Sequence, residues 1–226
     1  YRIIPLQARI VISFAISFLI YDKVDIPNIE SLAGFPLFSI VLVELLIGVT
    51  SGLLLTILFS ASNLAGEKIA ASTGLSFAGL IDPESGAQTP VLSQILSLFM
   101  IVVFLSLNGH LLAISVILES YNILPIGSTN INLSMIKLGI DAGGLMFKFG
   151  ALIMLPLVVG ITLLNVIIGI VTRSAPTLNL FSFGFPITMI FAFFLLYVCA
   201  ITIGSNFSNL TNVAVDFLYR LVEGLM

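Results

Sequence analysis

The chain has 226 residues, of which 59% are hydrophobic and 8% charged. Soluble domains average about 45–50% apolar and about 25% charged, so 8 basic and 11 acidic side chains cannot coat a soluble body of this size. The class is integral membrane protein, a net charge of −3 offers no basic face for nucleic acid, and a single cysteine excludes an internal disulfide or cysteine metal cluster. That cysteine, Cys199, lies in an apolar run and reads as a small hydrophobe. Tryptophan is absent, so any interfacial aromatic belt falls to tyrosines such as Tyr1, Tyr21 and Tyr219. The opening Tyr1-Arg2-Ile3-Ile4-Pro5 shows neither an initiator methionine nor a cleavable signal, and further residues are expected before it.

Pro5 suits a first helical turn, and the charge-free run Ile10 to Tyr21 continues that helix to a polar turn over Asp22 to Asn28. Pro36 to Ala65 is apolar apart from Glu44. At ~1.5 Å per residue this run is ~45 Å long, more than the ~30 Å hydrocarbon layer, so the helix either tilts or leaves the bilayer. Gly48 and Gly52 form a Gly-x-x-x-Gly pair, a close-packing signal for helices.

The stretch Gly66 to Pro90 then gathers Gly66, Gly74, Gly79 and Gly86 with Glu67, Lys68, Asp82 and Glu84. It reads as a loop, and Asp82-Pro83 breaks any helix there because a residue before proline avoids the α region. Leu75, Phe77, Leu80 and Ile81 are too apolar for a surface connector. Irregular backbone exposed to lipid leaves polar groups unpaired, so this loop must be wrapped by protein or line a cavity. It either closes a channel or is a re-entrant loop that only packs.

From Ser85 to Leu118 the sole ionisable group is His110, and Asn108-Gly109 marks either one kinked helix or two helices meeting. Leu124 to Ser128 is a Pro/Gly turn. Residues 128–148 read as a weakly amphipathic helix whose Lys137, Asp141 and Lys148 form a solvated face. Phe149 to Thr172 is a charge-free span containing Pro156, and Arg173 to Asn179 is a break. Ser174 to Val215 carries no charge and suits two helical segments punctuated by Pro186 and Gly204-Ser205-Asn206, before an amphipathic end from Asp216. Five or six helical segments result, without a tandem repeat. The Lys and Arg residues are spread too thinly to orient them.

No constellation carries catalysis. The only histidine, His110, reads as a packed, hydrogen-bonded residue at a helix break, and no Gly-x-Ser-x-Gly, His-Glu-x-x-His or Walker pattern is present. The chain is read as no enzyme, with neither cofactor nor metal. Glu44 is a carboxylate inside an apolar helix. It either makes a conduction or assembly contact with a neighbouring subunit or sits at the aqueous boundary. Glu67 and Lys68 point to different faces, so each meets its own partner or water. The triplets at Asn132, Asn206 and Asn209 match the glycosylation pattern but are assigned no function.

A larger pattern joins these pieces. Gly66-Glu67, Gly74-Leu75-Ser76-Phe77-Ala78, Asp82-Pro83, Pro90-Val91-Leu92, Asn108-Gly109-His110 and Leu124-Pro125-Ile126-Gly127 occur in this order. Ala142-Gly143-Gly144, Leu155-Pro156, Ala175-Pro176-Thr177-Leu178-Asn179 and Gly184-Phe185-Pro186 follow. The whole resembles the FliR/SctT family of type III secretion export-gate subunits, and Gly-Leu-Ser-Phe-Ala fits its flagellar branch.

The resemblance implies an all-α membrane protein of long kinked helices and helical hairpins with an internal plug loop, assembled into a helical export-gate complex. It implies that unfolded flagellar proteins pass through that gate during flagellum assembly, in the bacterial inner membrane at the flagellar basal body. It implies FliP-like and FliQ-like membrane subunits as partners, with FlhB-like and FlhA-like components. Residues 1–148 would be the FliP-like part, with the plug loop at 72–88, and residues 149–226 the FliQ-like hairpin. Gly74, Leu75, Ser76, Phe77, Ala78, Gly79, Leu80, Ile81, Asp82 and Pro83 would form the plug, beside a methionine ring from the FliP-like subunit. Glu44, Glu67 and Lys68 are the expected subunit contacts. Two departures stand out: the family's first hydrophobic helix is not present before Tyr1, and Glu84 occupies a position where a small residue is common. The competing readings are an injectisome homologue exporting virulence effectors, a subunit of a secondary transporter or solute channel, and a membrane enzyme.

Overall fold

The computed structural model describes residues 5–21, 24, 35–74, 90–123, 125–126, 134–175 and 183–223. Six helices account for nearly all of them, and no strand occurs among the described residues. Helix α1 spans Leu6–Tyr21, α2 Phe35–Ser72, α3 Val91–Ser106, α4 Gly109–Ile123, α5 Ser134–Ser174 and α6 Phe185–Glu223.

Helix α1 follows Pro5, whose carbonyl accepts the first ladder bond from the Arg9 amide at 3.3 Å. None of its residues is buried. Helix α2 runs 38 residues, ~57 Å at the usual rise, and does not stop at Ala65. The loop expected from Gly66 begins only after Ser72, because Ile69 and Ala70 are fully buried and continue the apolar face of Leu58, Ala61 and Ala65. The stretch Leu75 to Thr89, including Asp82-Pro83 and Glu84, lies outside the described residues, as do residues 22–23 and 25–34, which hold most of the expected Asp22–Asn28 turn, and residues 176–182.

The Asn108-Gly109 signal resolves into two helices, with α3 and α4 bent 63° apart. Leu107 and Asn108 close α3 by donating to Val103 and Leu105, and the Asn108 carbonyl accepts from Leu111 and Leu112 to open α4. Asn108 has φ 55, the left-handed conformation that asparagine tolerates better than most residues.

Two expected breaks are absent. The amphipathic patch and the apolar span after it form one 41-residue helix, α5, with Pro156 inside it. The site where the FliP-like and FliQ-like parts would divide, at 148/149, falls within this helix. Helix α6 likewise runs unbroken through Gly204-Ser205-Asn206. The helical ladder satisfies each backbone group internally, so small or polar side chains alone do not end it inside a packed apolar body. Pro186 sits in the first turn of α6, where a missing N–H is harmless.

The core forms where α2 packs on α5 and α3, and where α6 crosses all four of α2, α3, α4 and α5. Leu54, Leu58, Ala61, Ala65 and Ile69 of α2 recur at three- and four-residue spacing. They meet Ile153, Leu157 and Ile161 of α5, Leu92, Leu96 and Met100 of α3, and Phe207 and Leu210 of α6. Phe99 meets Phe207 edge-on at 5.4 Å. A smaller cluster, Val116, Leu218 and Val222, joins α4 to α6.

Outside this core the surface is apolar on most sides, with Ile201 88% and Phe14 74% exposed. Among the described residues three helices, α2, α5 and α6, are long and apolar enough to cross a membrane, and the bent pair α3–α4 makes a fourth candidate. Lys137, Asp141 and Lys148 are exposed along α5, as expected of a solvated face. Cys199 is half-buried against the core, as a small hydrophobe would be.

Candidate functional site

Of the ten residues expected to form the plug, only Gly74 is described, and it lies where α2, α5 and α6 meet. The exit from α2 is fixed by five contacts. The Thr73 amide donates to Ile69 at 3.1 Å and the Gly74 amide to Ala71 at 3.2 Å, closing the helix end. Asn165 of α5 donates through Nδ2 to the Ser72 carbonyl at 2.9 Å. Thr188 of α6 donates to the Thr73 carbonyl at 3.2 Å, with both side chains buried. Gly74 takes φ +81, and a Cβ there would stand 2.4 Å from the Phe185 ring, so the position needs glycine for both its backbone and its neighbour.

The return into α3 is fixed to α2. The Pro90 carbonyl accepts from Ser93 and Gln94 at 3.0 and 3.2 Å. Ser93 Oγ donates to the Asn63 carbonyl at 3.0 Å, and Ser97 Oγ donates to Asn63 Oδ1. Gly66 makes this approach possible, because a Cβ on it would stand 2.3 Å from Ser93 Cα. Both ends of the 75–89 segment therefore leave from rigid, hydrogen-bonded points on the helical body. Beside the return lies a cavity of about 350 Å³ between α2 and α3, walled by Phe59, Leu98, Ile101 and Phe104 and by the polar Thr56, Asn63 and Ser97.

The family sequence model described as Bacterial export proteins, family 1, matches residues 1–214. The chain belongs to that family. It is 34% identical over 188 residues to the flagellar biosynthetic protein FliR of Escherichia coli, covering 83% of this chain and 72% of that protein. It is 31% identical over 220 residues to the FliR of Aquifex aeolicus, covering 96% and 85%. It is also 29% identical over 161 residues to the surface presentation of antigens protein SpaR of Shigella flexneri, covering 71% and 62%.

In this member of the bacterial export family Glu44 lies apart from the other two expected contact residues. Glu67 and Lys68 are exposed on the last two turns of α2, near Gly74. Glu44 is half-buried much earlier on α2 and lines a second cavity, of about 160 Å³, with α4 and α6. Among the described residues Gly48 and Gly52 have no neighbour within 4 Å of a Cβ placed on them, so their close-packing signal is not used there.

His110 sits at the start of α4, as expected of a residue at a helix break, and its Nδ1 is buried with no hydrogen-bond partner among the described residues. Among the described residues no group of three or more His, Cys, Asp and Glu side chains could hold a metal ion.

Sequence reasoning missed the residues that do the anchoring: Asn63, Ser93, Ser97, Asn165, Thr188 and Phe185. A signal existed for most of them. Uncharged polar side chains in otherwise apolar helices seek partners across helices, and Asn63 and Asn165 interrupt two of the most apolar runs.

Proposed function

We propose that this chain is a subunit of the flagellar type III secretion export gate, forming and gating the channel through which unfolded flagellar proteins leave the cytoplasm. Membership in the bacterial export family over residues 1–214, with flagellar FliR proteins among its relatives, carries this reading. The helical, membrane-suited body with apolar outer faces supports a subunit held among others. FliP-like and FliQ-like membrane subunits are the proposed neighbours, FlhB-like and FlhA-like components the further partners, and the inner membrane at the basal body the proposed site. The similarity to SpaR favours a second reading, an injectisome gate, but covers less of the chain.

Within that gate the segment from Gly74 to Pro83 acts as the plug, with Leu75, Phe77, Leu80 and Ile81 as its apolar stopper. The anchoring of its two ends by Asn165, Thr188 and Asn63 supports this role, since a stopper needs fixed roots. Deleting residues 74–86 tests it. The deletion leaves assembly with the other gate subunits intact and makes the membrane leak small ions. An intact assembly without added leakage overturns the plug.

A further inference from the structure

The cavity around Glu44 has a chemistry that the plug does not explain. Its walls are Glu44, Ile47, Gly48 and Ser51 of α2, Val116, Ile117, Ser120 and Tyr121 of α4, and Leu218, Leu221 and Val222 of α6. Ser51 donates to the Ile47 and Gly48 carbonyls at 3.0 Å, and Ser120 donates to the Ile117 carbonyl at 2.7 Å. With their protons spent on the backbone, both hydroxyls present lone pairs to the cavity. Ser120 and Tyr121 belong to the last turn of α4, and Leu221 and Val222 to the last turn of α6. Two helix C-termini, the negative ends of their dipoles, thus converge on a carboxylate.

Among the described residues no lysine or arginine lines this cavity. The basic residue in the last turn of α6, Arg220, is held at 2.8 Å by Asp216 on the exposed side. The Tyr121 hydroxyl can offer one proton, but a carboxylate in a membrane-spanning helix, beside the Ser51 and Ser120 oxygens and two helix C-termini, is still costly without a cation.

From this charge arrangement we infer that the Glu44 cavity receives a lysine or arginine side chain from a neighbouring membrane subunit. A volume of about 160 Å³ is far larger than the 10–15 Å³ or so that one water requires by the same measure, and it admits an ammonium or guanidinium head with its last methylenes. The flanking surface suits a protein neighbour. Val41, Leu45 and Val49, on the turns either side of Glu44, are exposed and apolar, so a helix lying there buries them while its basic residue enters the cavity. This inference rests on the reading of the chain as one subunit among several.

The test uses the full chain in its native membrane with the other export components present. A photo-crosslinking amino acid at position 44 identifies the neighbour by peptide mass spectrometry. The expected product joins position 44 to a transmembrane segment of another subunit, within one helical turn of a lysine or arginine. Glu44→Gln, which keeps the shape, lowers recovery of that subunit in mild detergent at least tenfold at equal amounts of this chain. Glu44→Lys abolishes recovery, and changing the captured basic residue to glutamate restores it. Crosslinks only to lipid, or assembly that fails when sodium and potassium are replaced by choline, would show a lipid amine or free metal ion instead and overturn the inference. Wild-type recovery with Glu44→Gln overturns it too, while leaving the export-gate reading standing. Failure of the wild-type chain to co-purify with any export component would overturn that reading itself.

Discussion

At the scale of single residues, the structure ties two glycines to specific neighbours. Gly66 lets the α2 backbone approach Ser93, with only 2.3 Å between a Cβ there and Ser93 Cα. Neither side of that contact is a flexible side-chain end, so the helices themselves must separate to admit a methyl group. Gly66→Ala should therefore lower stability by about 1–3 kcal/mol, the usual cost of overpacking, read as a lower melting temperature of the detergent-solubilised protein. A valine there should cost more.

Thr188 makes a different kind of contact. Its hydroxyl serves both the Thr73 carbonyl at 3.2 Å and the Phe185 carbonyl at 2.9 Å. Thr188→Val keeps the shape and removes the donor, with an expected loss of about 0.5–1.5 kcal/mol. If Thr188 also steadies the root of a plug, the variant should leak ions detectably at unchanged expression, whereas Thr50→Val, on an exposed hydroxyl bonded only to its own helix, should not.

At the scale of elements, the sequence signals that mattered were those that alter the backbone itself. Asn108-Gly109 produced the 63° bend because Asn108 adopts a left-handed conformation that interrupts the ladder. Asn108→Gly removes the side-chain penalty of that conformation and should leave the bend and the stability nearly unchanged. Asn108→Val should cost about 1–2 kcal/mol, since a β-branched residue tolerates the left-handed region poorly. Thermal melts of the two variants against the wild type separate these outcomes. Polar composition misled by comparison. Gly66-Glu67-Lys68 looked like the start of a loop and Gly204-Ser205-Asn206 like a stop, yet both are helical. Their backbone bonds are satisfied within the helix, their flanks are buried, and Glu67 and Lys68 keep their charges outside.

At the scale of the molecule, the five helices α2 to α6 form the packed body, and α1 contributes no buried residue. Deleting residues 1–21 should thus leave the melting temperature of the remaining body within a few degrees of the full chain. A large drop would mean that α1 stabilises the body through contacts beyond those in this single chain. The apolar outer faces of α1, α5 and α6 fit a protein surrounded by lipid and by other subunits, in keeping with its export family.

The sequence by itself determined the class, the helical content and the family. Composition alone excludes a soluble body, long charge-free runs admit little but helix in a membrane, and the ordered glycine and proline motifs carry the likeness to FliR. Only the tertiary structure decided where helices end, because an end depends on what the neighbouring helices bury and bond. Ile69, Ala70 and Thr73 hold α2 together past its apolar run, and Asn165, Thr188 and Phe185 meet it from more than ninety residues away in sequence. The same holds for Glu44: the sequence marked a costly carboxylate, and the convergence of α2, α4 and α6 gave it a cavity with no lysine or arginine among its described lining residues.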